Sequence, residues 1–174
     1  MSQTRGRKYD NVAAIDLLHQ VSSMYTGTKK PYDYGTGDTY TSVETHIVKC
    51  IADHPGITLT QLAYDYAKTK GAISQILKKL VEKDLILQKP SDEPGDKRVF
   101  LYLSPQGEAL NEAHIRYDEV HAGETLDLVR KEFTDEEIDT AFDVIQCWLK
   151  CRRLVHEQRR VAREAKAKEA QAQK

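Results

Sequence analysis

Apolar residues along this chain recur mostly at spacings of three and four, as helices that each bury one stripe require. From Tyr9 to Tyr25, Val12, Ile15, Leu18 and Val21 share a stripe, with Leu17 and Met24 beside it. Gly27 to Thr39 (GTKKPYDYGTGDT) interrupts the pattern with glycines, a proline and aspartates and reads as a loop. Thr41 with Glu44 forms a capping box for a helix whose apolar face is Ile47, Val48 and Ile51 and which stops at Pro55-Gly56. Thr58 with Gln61 forms another, and Leu59, Leu62 and Ala63 fall on one face behind it. After a tight polar break Thr69 caps a second helix, whose stripe is Ile73, Ile76, Leu77, Leu80 and Val81.

The period then changes. Leu85–Gln88 and Val99–Leu103 are strand-like, rich in β-branched, aromatic and aliphatic residues, and Pro90-Ser91-Asp92-Glu93-Pro94-Gly95-Asp96 between them is turn chemistry throughout. Helical spacing returns at Ser104, an N-cap with Pro105 at the first helical position. That helix runs to about Arg130 through Leu110, Ile115 or Tyr117, Val120, Leu126 and Val129. Thr134-Asp135-Glu136-Glu137 opens a last one through Ile138, Ala141, Phe142, Ile145, Trp148, Leu149 and Val155. The tail from His156 has almost no apolar stripe, and partial helix is expected there.

These elements predict a mainly α fold with a small β-hairpin wing: a winged helix-turn-helix inserted in an all-helical region. The expected divisions are residues 1–40 (N-terminal helix and loop), 41–104 (winged helix), 105–155 (C-terminal helices) and 156–174 (charged helical or frayed tail). The outer helices are amphipathic with little of their own to pack against, so a second copy is expected to cover them. On the second helix of the motif, Lys70, Ser74, Gln75, Lys78 and Lys79 lie opposite the apolar stripe, as on a helix that reads a DNA major groove.

Residues 59–107 resemble the MarR family of bacterial transcriptional regulators. The resemblance is carried by LTQLA (59–63), TKGAISQILKKL (69–80), EKDLI (82–86), DKR (96–98) and LYLSPQG (101–107), in the family's order and without a gap. It implies a homodimer that binds double-stranded DNA through Thr69, Lys70, Gly71, Ser74, Gln75, Lys78 and Lys79. Gln75 stands where the family commonly has a basic residue. At the wing, Arg98 resembles the family's minor-groove arginine, with Lys97 beside it and Asp96 as the acid that orients it. Asp92 and Glu93 make this wing tip more acidic than is ideal for approaching phosphates. The resemblance also implies a small aromatic effector, expected at His19, Tyr25 and Tyr40, against the plainer reading that the tyrosines pack the loop onto the dimer partner.

A net charge of −1 conceals a division along the chain. Lys68 to Lys89 holds six lysines against Glu82 and Asp84, Pro105 to Asp143 three basic residues against twelve acidic, and Lys150 to Lys174 nine basic against three acidic. The phosphate backbone senses such patches rather than the total. No apolar run approaches the roughly 20 residues of a membrane span and no apolar segment follows the basic N-terminus, so a cytoplasmic protein is expected. Nucleophile-elbow, zinc-protease and P-loop motifs are absent, as is CxxC, and no enzyme and no cofactor are expected. Cys50, Cys147 and Cys151 are expected to be reduced, small buried hydrophobes rather than a redox switch. His114, Asp118 and His121 share a helical stripe on which Glu44 or His46 would complete a metal shell, but the spacing is not specific and no metal is expected. The alternatives are a winged helix used on protein, or a metal- or redox-sensing regulator of the same fold.

Overall fold

The computed structural model describes residues 9–26 and 30–172. Residues 27–29 of the predicted first loop and the basic N-terminal residues 1–8 lie outside it. The chain runs α1 (Asn11–Thr26), β1 (Tyr32–Asp33), β2 (Thr39–Tyr40), α2 (Ser42–Asp53), β3 (Ile57–Thr58), α3 (Leu59–Asp65), α4 (Lys70–Glu82), β4 (Ile86–Pro90), β5 (Val99–Leu103), α5 (Pro105–Val129) and α6 (Asp135–Ala172).

Each helix start follows from its cap. The side chains of Thr41, Thr58, Thr69 and Ser104 accept from the backbone N–H three residues on, and Glu44 and Gln61 reach back to complete the first two boxes. Thr134 and Glu137 form the same box ahead of α6. Helix ends are as specific. After α3 the N–H of Ala67 donates to the Tyr64 carbonyl and that of Lys68 to Ala63; after α4 the N–H of Asp84 donates to Val81 and that of Leu85 to Leu80. Both are Schellman ends, in which one residue turns left-handed: Ala67 at φ 49° and Asp84 at φ 55°.

The core lies in the winged helix and the start of α5, with Tyr40 of β2 packed into it. Ile47, Val48 and Ile51 of α2 meet Leu62 of α3, Ile73, Leu77 and Leu80 of α4, Leu85 and Ile86 at β4, Leu101 of β5 and Leu110 of α5. The three-stranded sheet has the order β3-β5-β4, with Ile86 opposite Leu103 and Pro90 opposite Val99. Ser104 ties sheet to helix: its N–H donates to the Leu85 carbonyl at 3.0 Å, its hydroxyl to the Asp84 carbonyl. Gly107 then packs so tightly that a Cβ there would stand 2.1 Å from the Leu85 carbonyl oxygen.

Three expectations change. The loop after α1 contains a two-stranded ribbon, Tyr32 opposite Tyr40 and Asp33 opposite Thr39, with Gly35 and Gly37 at positive φ in its turn. The tail, expected to be partly helical, is helical from His156 to Ala172 as a continuation of α6. Cys147 and Cys151 are exposed rather than buried, because their face of α6 has nothing over it in one copy, while Cys50 is half-buried.

Candidate nucleic-acid interface

Helix α4 divides cleanly. Ile73, Leu77 and Leu80 are buried, whereas Thr69, Lys70, Gly71, Ser74, Gln75, Lys78 and Lys79 are all exposed. The predicted set is therefore one continuous polar face beginning at the helix N-terminus. Val81, expected in the buried stripe, is 37% exposed because α4 ends there and turns into β4. Lys78 approaches Glu82 at 3.8 Å, a solvated pair too long to hold the ammonium. A helix with this face presents lysine, serine and glutamine, the donors and acceptors that read base edges and phosphates.

The wing holds its arginine in a network of its own residues. Arg98 Nε donates to both carboxylate oxygens of Asp96, at 3.0 and 2.8 Å, and the Arg98 N–H donates to the same carboxylate. Hydrogen bonds from Ser91, from the Arg98 N–H and from the guanidinium hold the Asp96 carboxyl below its usual range. Glu93 stands 3.9 Å from Arg98, so the acidic tip screens the guanidinium but does not clamp it. Arg98 also lies over Phe100, 5.6 Å from the ring centre, which fixes its root on the strand.

Residues 40–100 match the sequence model of the MarR family. The chain is 27% identical over 110 residues, 63% of its length, to the uncharacterized HTH-type transcriptional regulator YhjH of Bacillus subtilis (strain 168), and it spans 62% of that relative. The MarR family transcription regulator SP03579 superposes with a TM-score of 0.56 at 26% identity, over 80% of this chain and 84% of that one. The winged-helix region of the chain is similar to the MarR family. That is a family of transcription regulators and not of enzymes. Streptococcus pneumoniae FabT in complex with DNA shares the fold, with a TM-score of 0.55 and 18% identity over 80% of this chain and 92% of that one.

A second cluster lies where the β1–β2 ribbon and α2 meet α5. Tyr32 and Tyr34 stand 5.0 Å apart and contact Tyr117 at 4.7 and 5.2 Å; Tyr34 meets His114 at 5.4 Å and His114 meets His46 at 4.9 Å. His114 is 3% exposed, its Nε2 is 3.3 Å from Asp118, and its Nδ1 has no partner. Burial pushes its pKa down, against the pull of Asp118. His46, His114 and Asp118 each bring a ligand atom within 4.8 Å of the others. His121, placed by spacing on the same stripe, instead stacks on Tyr117 at 3.9 Å and bonds the Tyr117 carbonyl through Nδ1. Helical spacing put His121 in the set and left Glu44 or His46 to complete it; the packing of α2 on α5 brings in His46 and leaves His121 out.

The expected effector residues do not converge on one cavity. Tyr40 is buried, with the Lys83 ammonium 4.4 Å from its ring centre, and it lines a cavity of about 710 Å³ with Tyr34, Lys83 and Arg116. His19 and Tyr25 stand exposed on α1 and do not line it. Among the described residues no helix is long and apolar enough to cross a membrane.

Proposed function

We propose that this chain is a sequence-specific DNA-binding transcriptional regulator, a repressor that acts as a homodimer on a pseudo-palindromic operator. The observation that carries the reading is the unbroken exposed polar face of α4 from Thr69 to Lys79, followed in the chain by a wing on which Asp96 holds Arg98. FabT, of the same fold, is a DNA complex. Two such faces on a two-fold axis address half-sites about 34–36 Å apart. The second copy is called for by the exposed apolar residues of α1 and α6, among them Leu17, Phe142, Ile145, Trp148 and Leu149. Release follows if an effector binds one separation of the two reading heads better than the other. An aromatic effector suits the Tyr32–Tyr34–Tyr117 cluster and the adjoining cavity of Tyr40 better than His19 and Tyr25.

The test is fluorescence anisotropy against the DNA upstream of the chain's own coding sequence, with a scrambled duplex, at two salt concentrations. Tight binding that depends on sequence and weakens with salt supports the reading. Equal binding to both duplexes removes sequence specificity, and binding to neither points to a winged helix used on protein.

A second reading of the effector has its own observation: two imidazoles and a carboxylate, His46, His114 and Asp118, converge between α2 and α5. That donor set suits a divalent transition metal such as zinc. A zinc titration that shifts DNA affinity in the native chain, and not in His46→Ala, supports it. Affinity that zinc leaves unchanged removes it.

A further inference from the structure

Helix α6 does not end at the region expected to form the dimer. Arg153 anchors it to the winged helix, donating to the Asp65 carbonyl at 3.0 Å and standing 3.5 Å from the Asp65 carboxylate at the end of α3. One and two turns further on, Glu157 and Arg160 line a groove of about 1000 Å³ whose other wall is Tyr64, Lys68 and Lys70. Glu157 and Arg160 of α6 thus lie across this groove from Lys70, at the N-terminal end of α4 where the reading face begins. Among the described residues, the acids that line the groove are already engaged, Asp65 by Arg153 and Glu157 by Arg160 at 2.6 Å. From Lys150 to Lys166 the sequence holds seven basic residues against Glu157 and Glu164.

The stripe through Arg153, Glu157 and Arg160 faces the winged helix. Arg159, Arg163 and Lys166, at i, i+4 and i+7, form an adjoining stripe, and all are exposed. Beyond Arg153, the stretch to Lys166 rises about 20 Å at 1.5 Å per residue. That length spans about six base-pair steps of 3.4 Å.

We propose that the distal part of α6 is a second DNA-binding element, an arm whose stripe of Arg159, Arg163 and Lys166 contacts the phosphate backbone flanking each half-site. The proposal rests on the reading of α4 as the recognition helix and adds a footprint outside it. Backbone contact carries no sequence information, so the arm raises affinity and salt sensitivity and leaves operator preference alone. Charge complementarity offers one rival occupant: the acidic stretch from Pro105 to Asp143 of a second copy.

The test compares the full chain with a triple variant, Arg159→Gln, Arg163→Gln and Lys166→Gln, which keeps good helix formers throughout. Each is measured on a duplex of the core operator alone and on one extended by about eight base pairs at each end, the extension being an order-of-magnitude choice from the arm's reach. Lys70→Ala in the unmodified arm reports on the reading helix. The expected result is that the native chain gains affinity from the flanks and the triple variant does not. Its salt slope on the long duplex falls by about two to three and its affinity by roughly tenfold, with binding to the core duplex unchanged. Equal binding of native and triple variant to the long duplex, with Lys70→Ala impaired on both, overturns the arm and leaves the reading helix standing. Full affinity in Lys70→Ala, and in Lys78→Ala measured beside it, removes the recognition helix and the arm with it. Loss of dimer by sedimentation in the triple variant, at unchanged DNA affinity per dimer, assigns the stripe to the second copy and also overturns the proposal.

Discussion

Ala67 and Asp84 are the non-glycine residues with positive φ among those described, and they bracket α4. A left-handed alanine costs about 1–2 kcal/mol, and glycine removes that strain at some loss of unfolded-state restriction. Ala67→Gly is therefore expected to stabilise the fold by about 0.5–1 kcal/mol, seen as a thermal midpoint raised by roughly 2–3 °C. A lowered midpoint would show that the turn is not strained in solution. His114 gives a pH effect. Its folded pKa lies below the ordinary 6.5, so the unfolded chain binds more protons in that range and stability rises with pH. The contribution is complete above 6.5 and declines as pH falls toward the lowered folded value. Thermal midpoints are expected to drop on acidification from about pH 7.5 to 5.5, and His114→Asn to flatten that part of the profile. An identical profile in the variant would assign the effect to other groups.

At the scale of elements, Lys70→Ala and Lys78→Ala should each weaken DNA binding and lower the salt slope by about one, because each would remove one phosphate contact. Affinity and slope unchanged in both would take α4 out of the interface. Arg98→Ala should lose affinity mainly at positions flanking each half-site, where a narrow minor groove attracts a guanidinium; equal loss on every sequence would mean that the wing only holds phosphate. These elements were legible because each is specified locally. The helix starts are fixed by Thr41, Thr58, Thr69, Ser104 and Thr134, side chains that bond three residues along the chain, and the stripe of α4 by its own spacing. What was not legible depends on pairing across the fold. The ribbon of Tyr32 with Tyr40 has two residues per strand and no periodicity to detect. That His46 rather than Glu44 joins His114 follows only from α2 lying on α5, and α6 is tied to the end of α3 by Arg153 and Asp65, 88 residues apart in sequence.

For the whole molecule, the division of charge and apolar surface sets what must come together. The core of the winged helix is closed, but α1 and α6 leave a mostly apolar groove of about 840 Å³ between them, lined by Leu17, Leu18, Ala141, Ile145, Trp148 and Leu149. Trp148 keeps 41% of its surface and Leu149 52%, too much apolar area for helices this long to leave in water. Cys147 and Cys151 lie exposed on the adjoining face of α6, with Val144, Trp148 and Val155. Ile145→Asp combined with Leu149→Asp places two carboxylates in that surface without touching the winged-helix core, so circular dichroism should keep its helical signal. Sedimentation is expected to show a monomer at micromolar concentration. Affinity for the full operator should then fall by about 100-fold or more, because the second reading head no longer benefits from the first being bound, while a single half-site is bound as by the native chain. A variant that stays dimeric would move the interface off these helices. A monomer that keeps full operator affinity would show that one winged helix with its arm suffices.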